Sequence, residues 1–188
     1  MELFANVGEA LLENWTIWLV STVLVVAAVI DGLQLKVPNW LTFPLIAGGW
    51  IYSLAFFGVE GLGLSLLGTA IGLALLLPAY AIGGMGAGDV KLLAGVGAWI
   101  YATHTLLAFG ISAVIGGAMA VVMVLWSGNW RKHLSQFQVI AGEIMTIRDP
   151  EQLAAIAAER KSSMMLLPYG IPIAIGTIFY FAWNGMLI

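Results

Sequence analysis

The 188-residue chain contains no cysteine. That excludes a disulfide framework, a zinc site built on thiolates and a thiol nucleophile. Charge is nearly as scarce: Asp, Glu, Lys and Arg make up 9% of the sequence, against about 25% in a soluble domain. Of the two histidines, His104 and His133, neither has the neighbours of a metal-site cluster. No G-x-S-x-G, H-E-x-x-H or P-loop pattern occurs, so these signatures of serine hydrolases, zinc proteases and nucleotide binding are missing. The N-terminus carries Glu2, Glu9 and Glu13 where a cleaved signal peptide would carry basic residues. What remains is apolar, 61% of the chain. The composition predicts an all-α polytopic membrane protein.

A crossing helix needs about 20 apolar residues, and the few charges divide the chain into such lengths. Asn14 to Ile30 is uncharged and forms a first span, which Asp31 ends. Val37 to Val59 holds a second, and Gly61 to Gly88 a third that stops near Ile82. Leu92 to Trp130 is too long for one crossing, and the polar stretch from Tyr101 to Thr105 splits it into a fourth and a fifth. Ser162 to Ile188 holds a sixth, broken near its start by Pro168, Gly170 and Pro172. Gly68 and Gly72 fit a GxxxG pattern and read as helix packing.

Six spans place every basic residue on one face. Lys36, Lys91, Arg131, Lys132, Arg148, Arg160 and Lys161 all fall in the first, third and fifth connections. Glu2, Glu9, Glu13 and Glu60 fall on the other face, which has no Lys or Arg. The positive-inside rule puts the basic connections in the cytoplasm and both termini outside. In the large 131–161 connection, Asp149 and Pro150 suit the start of a helix that Arg160 and Lys161 close.

Two acids stand at the edges of apolar stretches: Asp31 after the first, Asp89 before the fourth. Both fall at the cytoplasmic side. Ionisable groups at such positions are costly and read as functional. Asp89 follows the run Gly83-Gly-Met-Gly-Ala-Gly88. Gly86 and Gly88 are expected to give unusual backbone freedom and to let a peptide approach closely, with Lys91 reaching the interface. Pro38 stops any helix arriving from Asp31, and Asn39 is expected to start the second span. Two carboxylates held together share a proton. One can then take a proton from water while the other polarises a carbonyl. The same pair could instead bind an ion or proton in a small transporter or an assembly subunit. That alternative favours acids at the bilayer midplane on broken helices, not near one face.

At these residues the chain resembles a known family. Gly86-Ala-Gly-Asp-Val-Lys91 matches the GxGD signature of intramembrane aspartyl proteases. Asp31 followed by Val37-Pro-Asn-Trp-Leu-Thr42 is similar to the first motif of type IV prepilin peptidases, and Leu167 to Gly176 to their last-span motif. The resemblance implies a catalytic pair, Asp31 and Asp89, with Pro38, Asn39, Gly86, Gly88 and Lys91 around substrate and loop. It implies no cofactor and no metal. It also implies prepilin and pseudopilin-like substrates, with basic leaders cut at the cytoplasmic face of the bacterial inner membrane, membrane lipid as surroundings, and no nucleic acid. Long members carry an N-terminal cytoplasmic domain with CxxC motifs, associated with N-methylation. The cysteine-free chain resembles the short, peptidase-only form of tight-adherence pilus systems. Residues 1–188 are accordingly expected to be a single membrane-embedded peptidase domain.

Overall fold

The computed structural model describes residues 14–128 and 167–187, together with Ser135, Gln138, Val139, Gly142, Glu143, Thr146 and Ile156. Every regular element among these is helical: α1 (Trp15–Gln34), α2 (Asn39–Ala81), α3 (Ala87–Trp126) and α4 (Gly170–Trp183). The first three are long and apolar enough to cross a membrane, and α4 is a shorter apolar helix. The acidic N-terminal residues and, apart from Ile156, the helix expected from Asp149 to Lys161 lie outside the described residues.

With 43 and 40 residues, α2 and α3 would each reach about 60 Å as straight rods, roughly twice the hydrocarbon thickness. Both fold back instead. α2 breaks at Gly58 (φ 66°, ψ −156°), a backbone conformation that favours glycine. The return is recorded by Trp50, whose Nε1 donates to Thr69 Oγ1 at 3.0 Å. α3 breaks at Tyr101 (φ 62°, ψ −179°), within the polar stretch where the sequence predicts a boundary. Its return is recorded by Gly116, which shares a cavity wall with Met85. In an unbroken helix those two residues would lie roughly 45 Å apart.

The result is six helical segments that alternate in direction: α1, 39–57, 59–81, 87–100, 102–126 and α4. Segment 87–100 is central, with Asp89, Val90 and all of Leu92 through Ala98 buried. A helix that is apolar all round belongs in such a position. Small residues let it sit close to its neighbours. A Cβ on Gly49 would meet Ala98 at 2.6 Å, and one on Gly72 would meet the Leu93 carbonyl oxygen at 2.5 Å. Gly68 and Gly72 thus take the packing role that their spacing suggests. Segment 39–57 runs parallel to 87–100, pairing Val37 with Gly88 and Leu45 with Gly95. α4 runs antiparallel to both α1 and 102–126, pairing Gly170 with Asp31 and Gly176 with Ser112.

Two boundaries differ from the sequence reading. α1 does not stop at Ile30 but continues one turn, and closes with Leu35 in the left-handed conformation. Asp31 is therefore inside the helix. Nor does Pro172 break α4. It occupies the third helical position, where an N–H would have no intrahelical acceptor, so proline removes nothing the helix needs.

Candidate active site

Asp31 and Asp89 lie at the same end of the bundle, 2% and 4% exposed. Each carboxylate is held by the backbone N–H of a glycine, by different means. Asp89 is the third residue of α3. Its Oδ2 reaches back to accept from Gly86 N–H at 3.1 Å, the reciprocal half of a capping box. Asp31 accepts at Oδ2 from Gly170 N–H at 2.7 Å, a donor 139 residues away at the first position of α4. A helix N-terminus has free N–H groups and a positive dipole end, so both carboxylates sit where an anion is favoured.

Tyr169 stands at the N-cap of α4, and Gly170, the next residue, touches Asp31 directly. Gly170 has no room for a side chain, since a Cβ there would lie 2.9 Å from Asp31 Cβ and 3.0 Å from its Oδ2. The sequence quotes these residues within a last-span motif but assigns them no role. The available signal is a glycine between Pro168 and Pro172 at the start of an apolar stretch.

The remaining sequence-named residues form the support around Asp89. Pro38 is extended (φ −75°, ψ 148°) and Asn39 begins α2, as expected. The Asn39 side chain does not cap its own helix; its Oδ1 accepts from Lys91 Nζ at 2.9 Å. The Lys91 ammonium also lies 4.9 Å from the centre of the Phe43 ring, within cation–π range. Lys91 therefore ties the start of α3 to the start of α2.

The glycines act differently from the expectation. Gly86 is extended (φ −84°, ψ 151°), Gly88 is helical, and the positive φ of this run falls at Gly83. Gly88 is small because the chain's own Val37 packs on it: an added Cβ would lie 2.9 Å from Val37 Cβ and 3.1 Å from its Cα. The close approach that Gly88 permits in the fold is that of Val37. Among the described residues, no group of three or more His, Cys, Asp or Glu is gathered as a metal site.

The helices and the site define a class first: an all-helical membrane protein with two buried carboxylates at one end of its bundle. Residues 18–121 match the type IV leader peptidase family, and the chain belongs to that family. The match includes both aspartates. Curated relatives include the prepilin leader peptidase/N-methyltransferase of Aeromonas hydrophila and that of Aeromonas salmonicida (strain A449). Each is 32% identical over 114 residues, which covers 57% of this chain and 39% of the relative. The match thus spans well under half the length of these relatives. No solved structure matches. Family and apolar helices together indicate a bacterial inner-membrane protein.

Proposed function

We propose that this chain is an intramembrane aspartic endopeptidase that removes short basic leaders from prepilin-type substrates. The observation that carries the reading is the pair of buried carboxylates, Asp31 and Asp89, each fixed by a backbone N–H at the same end of the bundle. The relatives' name supplies the substrate class. Of the two activities in that name, only the peptidase is proposed here.

The pair would hold one proton between them. The ionised carboxylate takes a proton from a water molecule as its oxygen attacks the scissile carbonyl carbon. The protonated carboxyl hydrogen-bonds to the carbonyl oxygen, where negative charge develops. Collapse of the tetrahedral intermediate breaks the C–N bond. The departing nitrogen receives the proton taken from water, and the pair returns to its starting state. No acyl-enzyme forms.

The six alternating segments are read as six membrane crossings, with the aspartate end in the cytoplasm and both termini outside. The one-sided Lys and Arg distribution supports this orientation. Cysteines placed at Lys36 or Arg148 are expected to label from the cytoplasmic side, and one at Glu60 from the other. Labelling of Lys36 and Glu60 positions from one side would overturn the six-crossing arrangement.

The activity is tested by incubating the purified, reconstituted protein with a prepilin and reading the products by mass spectrometry. One cut between the basic leader and the hydrophobic helix is expected. An uncut prepilin, together with aspartate-dependent proton or cation flux across the same vesicles, would favour a transporter.

A further inference from the structure

A cavity of about 310 Å³ adjoins the supports of both carboxylates. Met85 in its wall is bonded to Gly86, whose N–H holds Asp89. Tyr169 in the same wall is bonded to Gly170, whose N–H holds Asp31. The other walls come from segments 59–81 and 102–126 and the first turn of α4, and they carry no Asp, Glu, His, Lys or Arg. The Ser112 hydroxyl in the lining donates to the Ala108 carbonyl at 2.8 Å, so the space is apolar in character. It runs along 102–126 from Ala120, at the aspartate end, to Phe109, about 16 Å towards the middle of the bundle. Small residues, among them Ala113, Gly116 and Gly117, keep it open. The fold does not demand glycine at the last two. At Gly72, Gly88 and Gly170 an added Cβ would come within 3 Å of a neighbour. At Gly116 it would meet Pro172 at 3.4 Å, an ordinary contact, and at Gly117 it would meet nothing within 4 Å among the described residues. Interiors are otherwise close-packed, so space left beside a pair of carboxylates is space for something else.

We propose that this cavity receives the apolar side chain that follows the cut in the substrate, and that Ala113 and Gly117 set the size it accepts. The pocket rests on the reading of Asp31 and Asp89 as the catalytic pair and adds the surface that selects the substrate beside them. A peptide cut between a basic leader and a hydrophobic helix has its leader on the solvent side of the carboxylates. Its next residue lies on the bundle side, the direction in which the cavity runs. An apolar cavity of about 150 Å³ holds a benzene molecule, so this one has room for a phenylalanine ring. A large apolar side chain gains dispersion contacts there that alanine cannot make.

The test uses the full-length protein in liposomes with two prepilins that differ only in the residue after the cut, phenylalanine in one and alanine in the other. Wild type is compared with Ala113→Leu and Gly117→Leu, two ways of filling the same cavity. The readout is the ratio of kcat/KM for the two prepilins, which a loss of folded protein does not move. Wild type should favour phenylalanine. Each leucine variant should lower that preference by at least about tenfold, the scale of a methylene-sized misfit in an apolar pocket. A wild type indifferent to the residue would overturn the proposal. So would leucine variants that keep the wild-type preference or slow both prepilins alike. The two levels separate cleanly. If wild type cuts prepilin and only the ratios fail to move, the pocket alone falls. If wild type cuts neither prepilin, the catalytic pair fails and the pocket with it.

Discussion

Asp31 and Asp89 are buried to a similar degree, yet the chain secures them in opposite ways. Asp89 lies in the first turn of its own helix, favoured by that helix's dipole, and its donor is three residues upstream. Asp31 lies in the last turn of α1, where its own helix presents a negative end. Its N–H donor and the favourable dipole both come from α4. One carboxylate is held by local geometry that a short stretch of sequence can encode. The other depends on the docking of a helix from the far end of the chain. The Asp31 side should therefore be the fragile one.

The largest expected difference is between two alanines. Gly170→Ala puts a Cβ against Asp31, and displacing a reacting group by about 1 Å costs on the order of a hundredfold in rate. Gly86→Ala keeps an extended backbone that alanine accepts, and its Cβ meets Asp89 Oδ2 only at 3.3 Å. Its loss should stay within about fivefold, one modest contact's worth. Initial cleavage rates decide this. Equal losses at both positions would remove the distinction between a distant and a local support.

A smaller effect is expected in stability. Gly88→Ala forces Val37 away and should cost about 1–3 kcal/mol, as overpacking does. Gly117→Ala meets nothing within 4 Å and should leave the thermal midpoint in detergent unchanged. A Gly88→Ala protein as stable as wild type would return Gly88 to the role of a flexible joint.

The smallest effect concerns the tie between α2 and α3. Lys91→Met keeps the stem and ring contact but loses the bond to Asn39. It should slow cleavage by about fivefold, the value of a single net hydrogen bond. Adding Asn39→Ala should cost little more, because both changes break the same bond. Full additivity in the double variant would show that the two side chains act separately.

The same contrast explains what the sequence made legible. Where a signal is local, the reading holds: the break at Tyr101 falls in a polar stretch, α2 begins just after Pro38, and the two acids stand out against apolar surroundings. Where the cause is a tertiary contact, the reading fails or is silent. Nothing around Asp31 announces Gly170 or Tyr169. Nothing in the glycine run says that Gly88 receives Val37. Backbone freedom is the local meaning of a glycine, and room for a neighbour is its tertiary meaning; only the fold distinguishes them. The extra turn of α1 beyond Ile30 was hidden for a related reason. A charge at a span edge reads as a terminus unless its distant partner is known.

The most direct test replaces each carboxylate by its isosteric amide in the reconstituted protein. A prepilin is added, and release of the leader is followed by mass spectrometry, alongside the thermal midpoint of each variant. Asp31→Asn and Asp89→Asn should both release no leader while melting close to wild type, since one lacks what the other cannot supply. Leader release at the wild-type rate by either variant would contradict the account.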